Sequence, residues 1–463
     1  MATWIIVYTL AALVVIILSF KNIKNLFFGY VFILPFFGLM VDLGINLTID
    51  RVLALIMGLV LLFNFRKINH KTVPIFVTIF IVYAIILTLI MSLFIPMSIY
   101  DPSIFRGQWR SIFQLLMFLL NIVPLIFALT YLDKADDIKK AAKVFLSSIS
   151  ILAVLGLLQF AVWYINGKNI IPLNILRPSI NQITVLLTVD GSNFLRVSSL
   201  GGEAKHFALS LVFGLNIIFV KMFYHKKSWS DLFLAMLLFL VLILTFSTQG
   251  YVLLTAGIIT FIVGLLFLEG LGKTRKIFLL LIPLVLFSVL LFYYYPNLWQ
   301  SILNRSSERV WQPYVGISNV DEFNTAVLGF LAYSPVYWVI GVGWGNMQYY
   351  ARDFLTTWTQ TWTSPDLVFG AQSGILRIVS ELGIPGLLFF LIMYLKPVFY
   401  LWKVKFKTVL EKELIICAAF TLVAFSLTQD GPTYIYLVMA LVYLLYNFRC
   451  SLKEDENKNQ SLT

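Results

Sequence analysis

TVPIFVTIFIVYAIILTLIM, residues 72–91, runs for the full thickness of a bilayer without an Asp, Glu, Lys or Arg. Its apolar residues are continuous rather than alternating, which predicts a membrane-spanning helix and not a strand of a β-barrel. LFLAMLLFLVLILTF, residues 232–246, reads the same way. The chain of 463 residues is 60% hydrophobic and only 12% charged, which excludes a water-soluble globular fold. The expected class is all-α, a polytopic membrane protein with one integral membrane domain over 1–463. Working outward from 72–91 gives about thirteen spans, near 2–20, 26–41, 50–65, 73–95, 111–131, 143–165, 204–224, 231–247, 251–268, 277–295, 372–400, 413–429 and 432–448. The first is expected to be a span and not a cleaved signal, because it lacks a basic leader and a small-residue cleavage site.

The net charge of +12 is explained by topology and not by a nucleic-acid partner. Alternate connections are rich in lysine: 21–24, 66–71, 133–140, 221–227, 272–276, 403–407 and the tail 451–463. The positive-inside rule makes these cytoplasmic and puts the N-terminus outside. On that threading, 23 basic residues lie inside and 11 outside, and the two groups differ in kind. Nine of the outer ones are arginine: Arg51, Arg106, Arg110, Arg177, Arg196, Arg305, Arg309, Arg352 and Arg377. Lysine suffices to hold a loop against anionic lipid, whereas the planar arginine fork binds carboxylate or phosphate through paired hydrogen bonds. The outer face is therefore expected to recognise a phosphorylated or acidic ligand. The plainer alternative is that these arginines neutralise outer carboxylates such as Asp101, Asp190, Asp353 and Glu381.

Two outer connections are long, 166–203 and 296–371. The second carries Trp299, Trp311, Trp338, Trp344, Trp358 and Trp362. Such rings serve either as interfacial anchors or as platforms for sugar rings. No internal repeat is evident, which counts against a transporter built from repeated halves. Cys417 and Cys450 imply no disulfide framework.

Ionisable residues cluster at two of the predicted span ends. RVSSLGGEAKHFALSL, 196–211, puts Arg196, Glu203 and His206 at the start of the seventh span, with Glu203 and His206 three apart and so on one helical face. Glu203 at a helix N-terminus also simply suits the macrodipole. FGAQSGILRIVSELGIPGLLFFLIMY, 369–394, puts Gln372, Ser373, Arg377 and Glu381 near one stripe of the eleventh span. An Arg377–Glu381 pair four apart is the plain structural reading of that stripe, and it would leave guanidinium donors uncommitted. Ionisable groups at membrane depth are functional-site candidates.

The sequence resembles the O-antigen polymerase and ligase group, bacterial inner-membrane proteins that handle sugars linked to undecaprenyl pyrophosphate. Four pieces carry the resemblance: RVSSLGGEAKHFALSL, LTFSTQG (244–250), GVGWGNM (341–347) and QSGILRIVSELGIPG (372–386). The ligase branch has a His followed by Asn, Ser or Gln, then nine residues and Gly-x-x-Gly. Here Ser373, Gly383 and Gly386 match, but Gln372 stands at the histidine position. The resemblance therefore favours the Wzy-type polymerase branch over a ligase. It implies a metal-independent membrane glycosyltransferase that needs no cofactor and takes undecaprenyl-pyrophosphate-linked oligosaccharide as substrate, with the lipid bilayer and a chain-length regulator as partners. It further implies an extracytoplasmic active face for O-antigen or capsule synthesis. Arg196 and Arg377 are the first candidates for the pyrophosphate, followed by Arg177, Arg305, Arg309 and Arg352. Glu203 and then His206 are the candidate bases. A flippase for the same lipid-linked glycan is the main alternative, ahead of a ligase and a non-catalytic scaffold.

Overall fold

The computed structural model describes residues 21–42, 46–68, 73–95, 108–170, 186–189, 192–225, 228–270, 319–355, 371–404, 407–428 and 432–461. Seven helices among them are long and apolar enough to cross a membrane. The protein is a multi-pass, predominantly helical membrane protein. The expected spans at 2–20 and 277–295, and with them the total of thirteen, lie outside the described residues.

Contacts divide the chain into two compact units, each assembled from three separate stretches. The first comprises Met1–Met57, Tyr131–Trp311 and Phe406–Val423; the second comprises Gly58–Thr130, Gln312–Lys405 and Ala424–Thr463.

In chain order the helices are α1 (Lys24–Ile33), α2 (Ile49–Phe63), α3 (Ile75–Ser92), α4 (Gln108–Tyr131), α5 (Ala135–Asn166), α6 (Ala204–Tyr224), α7 (Trp229–Leu244) and α8 (Thr248–Glu269). They continue as α9 (Asn319–Tyr333), α10 (Val336–Ile340), α11 (Met347–Ala351), α12 (Gly374–Lys403), α13 (Val409–Leu427) and α14 (Pro432–Ser461). Two short antiparallel hairpins depart from the all-α expectation: β1 (Met40–Asp42) with β2 (Asn46–Thr48), and β3 (Leu186–Val189) with β4 (Ser192–Leu195).

Three expectations about the spans are corrected. Residues 26–41 do not form one helix: α1 stops at Ile33, Pro35 follows, and the chain turns into β1. In the expected connection 133–140, residues 135–140 instead form the first turns of α5, where Asp136 and Asp137 complement the positive end of the helix. The expected tail 451–463 continues α14 to Ser461, as its lysines, glutamates and glutamine allow.

The first unit is organised around α6, whose span is 78% buried and apolar on all sides, the mark of a central helix. It packs against α5, α7 and α8. Because lipid is as apolar as leucine, such helices associate by close packing at small residues. Accordingly Gly214 sits against Leu238 and Ile149, and Gly257 against Phe420. At one end of α5, Lys24 reaches Asp133 and, at 2.9 Å, Asp137, tying α1 to α5. The Lys24 hydrogen bond holds the Asp133 carboxyl below the usual carboxylate range. In the second unit α12 is the organising helix, packed on α3, α10 and α14.

Candidate functional site

In the first unit, the chain from β4 to α6 is fastened to α5 and α7. Val197 N donates to Leu244 O at 3.0 Å, and Ser198 N and Ser199 N both donate to the Gln159 side-chain oxygen at 3.2 and 2.9 Å. Ser199 Oγ donates to Leu152 O at 2.8 Å. Gly202 has φ +83° and ψ −109°, a conformation only glycine takes without strain, and its backbone lies against Gly38, whose N donates to Leu200 O at 2.9 Å. A Cβ at Gly202 would stand 3.2 Å from Gly38 N. Gly202→Ala is expected to cost about 1–3 kcal/mol through backbone strain alone, read as a lower thermal midpoint of the purified protein; an unchanged midpoint would refute this account of the turn.

Held by that turn, Glu203 is the N-cap residue of α6, its carbonyl accepting from His206 N and Phe207 N, both at 3.1 Å. Its side chain makes no capping bond. The carboxylate instead faces Lys205 Nζ at 3.3 Å and His206 Nε2 at 3.9 Å. The His206 ring stacks on Phe37, with centroids 5.4 Å apart. Glu203 and His206 are thus brought together as the three-residue spacing predicts, and Lys205 joins them as a further partner of the carboxylate. Arg196, partly buried, lies between β4 and the turn at Ser199–Gly201.

The second unit holds the other cluster. Ser373 caps α12: its Oγ accepts from Leu376 N at 3.3 Å and donates to Ser426 O at 2.6 Å. Gln372 donates its backbone N–H to the Asn324 side-chain oxygen at 2.7 Å. Arg377 and Glu381 do pair: Nε donates to Oε1 at 3.2 Å. The Glu381 side chain is 1% exposed and that of Arg377 23%.

The surroundings of this pair come from the GVGWGNM segment. Its three glycines take positive φ (72°, 82° and 77°), folding 341–345 onto α12. Val342 N donates to Ser380 O at 3.2 Å and Gly343 N to Glu381 O at 2.7 Å. Gly345 N donates to Glu381 Oε2 at 3.0 Å, so the carboxylate joins the loop to the arginine. Trp344, fixed by its N–H on Thr88 Oγ1 at 2.9 Å and by Phe118 with centroids 4.1 Å apart, offers its ring face to the Arg377 guanidinium at 4.8 Å. Asn346 completes the loop, donating to Val342 O at 2.8 Å and accepting from Ser111 Oγ. Arg377 is therefore located by Glu381 at Nε and by Trp344 at its flat face, and among the described residues its terminal nitrogens make no further hydrogen bond.

Trp344 is buried. Its ring supports the Arg377 guanidinium. Thr88, Phe118 and Asn346 were not singled out from sequence; only Trp344 carried a signal, through its glycine-rich flanks. Arg352 lies on the short turn Arg352–Phe354, partly buried. Arg177, Arg305 and Arg309 lie outside the described residues. Arg196, Glu203 and His206 belong to the first unit, and Arg352, Gln372, Ser373, Arg377 and Glu381 to the second.

No known protein family matches this chain, and no curated protein matches it in sequence.

Proposed function

We propose that the protein is a repeat-unit polysaccharide polymerase that transfers a growing glycan from undecaprenyl pyrophosphate onto the next lipid-linked repeat, for O-antigen or capsule. The observation that supports this reading best is Arg377: a guanidinium held in place by a buried carboxylate and an indole, whose terminal donors make no further hydrogen bond among the described residues, as a site for a diphosphate requires. In the reaction the bond from sugar C1 to the pyrophosphate oxygen breaks, and one forms from C1 to the acceptor hydroxyl oxygen. The hydroxyl proton goes to a base, and undecaprenyl pyrophosphate leaves with the bonding pair. Arg377 would meet the charge growing on the leaving group. Glu203, whose carboxylate lies 3.9 Å from His206 Nε2 in the first unit, is the candidate base on the sequence resemblance alone.

The bacterial inner membrane is the corresponding location, with the reaction on its extracytoplasmic face. Purified protein in liposomes, supplied with lipid-linked repeats, is expected to convert them to a ladder of longer products; movement across the bilayer without lengthening would instead identify a flippase. In the same assay Glu203→Gln is expected to slow lengthening about 10²-fold or more. An undiminished ladder would leave Glu203 as a helix-end charge paired with Lys205.

A further inference from the structure

The stretch expected to form an outer loop carries an exposed apolar surface. Between Glu322 and Arg352 there is no Asp, Glu, Lys or Arg. The described part, 319–355, folds as α9, α10 and α11 around its own core, which includes Val327, Leu331, Val342 and Met347. Outside that core, Tyr333 is 80% exposed, Val336 57% and Val339 54%, with Leu328 and Ile340 beside them.

That surface lies beside exposed apolar residues on two helices of the same unit that are long and apolar enough to cross a membrane. On α12, Gly383 abuts the end of α10 so closely that any Cβ there would collide with the Val339 carbonyl. Just beyond it, Ile384, Leu388 and Ile392 are exposed at a spacing of four. On α3, Thr88 and Met91 back the loop that leaves α10, and Leu89, Ile90, Leu93 and Phe94 are exposed around the same turn. Gly383 lies about 13 Å along α12 from its first turn, so α10 is seated well down the span and not on its tip.

The irregular backbone after α10 is built for a medium without water. Gly341 N donates to Tyr337 O at 2.9 Å and Asn346 N to Gly343 O at 3.3 Å. With the bonds of Val342, Gly343, Trp344 and Gly345 given above, every N–H from 341 to 346 has a protein partner. Non-helical backbone at membrane depth persists only when it is satisfied and buried in this way.

We infer that the α9–α10 turn, residues 328–340, is inserted into one leaflet, with Tyr333, Val336, Val339 and Ile340 against the acyl chains. The partner is lipid and not a second protein. This inference does not depend on the polymerase reading.

The test is spin labelling in liposomes of phosphatidylethanolamine and phosphatidylglycerol. Single cysteines are placed at Val336 and Val339 in a Cys450→Ser background, with buried Cys417 retained. Leu388→Cys serves as the lipid-facing reference and Lys168→Cys, on an exposed residue beyond α5, as the aqueous one. Labels at 336 and 339 are expected to relax with oxygen and be shielded from a nickel chelate, as at 388. Access of the nickel chelate equal to that at 168 would overturn the inference. Should either variant fail to fold, Ala332→Cys, at a small exposed residue of the same surface, decides the matter by the same readout. In freeze–thawed vesicles a charged maleimide is expected to react at 332 at least about tenfold more slowly than at 168, because the reagent does not enter hydrocarbon; equal rates would likewise overturn it.

Discussion

Arg377→Lys is expected to lower polymer formation about 10²–10³-fold, the usual consequence of removing a donor aimed at developing charge, while leaving the protein at its normal level in the membrane. The geometry explains why the exchange of one cation for another should matter. Arg377 meets Glu381 through Nε, and among the described residues its two terminal nitrogens make no further hydrogen bond. A lysine has a single ammonium, and a buried carboxylate four residues away will hold it. The ion pair survives and nothing remains for the diphosphate. The flat face against Trp344 is lost as well. Product ladders from the lysine variant, normalised to protein in the membrane, check this. Full-length polymer from Arg377→Lys would remove the paired-donor argument and leave the arginine as a structural partner of Glu381.

Removing the arginine outright has a different expected result. Arg377→Ala leaves Glu381, 1% exposed, without its cation, and breaking a buried pair from one side costs about 3–5 kcal/mol. Loss of polymer in that variant would then report on folding as much as on chemistry. The double variant Arg377→Met with Glu381→Gln separates the two. Glutamine keeps an acceptor for Gly345 N, now 3.0 Å from Oε2, and carries no charge that needs a partner. Most of the lost stability is expected to return, with polymer formation still absent. Thermal unfolding of both variants measures the first part, and the ladder assay the second. A double variant as unstable as Arg377→Ala would show that the pair does more than neutralise charge in this unit. Activity in the double variant would end the assignment of Arg377 to the leaving group.

The two clusters differ in how far they were legible. Glu203 with His206 and Arg377 with Glu381 were readable because three- and four-residue spacings on a helix bring side chains to one face whatever surrounds them. Ser373 was singled out as part of a motif and proves to be the cap of α12, with Ser426 O as its acceptor. Trp344 was counted among loop aromatics. The glycines around it were legible, but its role depends on Thr88, 256 residues away in sequence, and on the packing of that turn against α12, neither of which has a local signature.

The same division holds for the fold. By itself the sequence determined the membrane class and the positions of spans such as 204–224, which α6 matches, because bilayer thickness converts directly into a length of apolar helix. It misplaced the ends of α1, α5 and α14, where a proline, acidic residues and good helix formers act within a turn or two and hydropathy is silent. Tertiary structure alone decided the gathering of three separate stretches into each compact unit, the folding of 341–346 onto α12, and the apolar surface left on α10. Helices in lipid are chosen as partners by close fit at small residues and by satisfied polar groups. Those choices depend on pairs of surfaces, and a single strand of sequence holds only one member of each pair at a time.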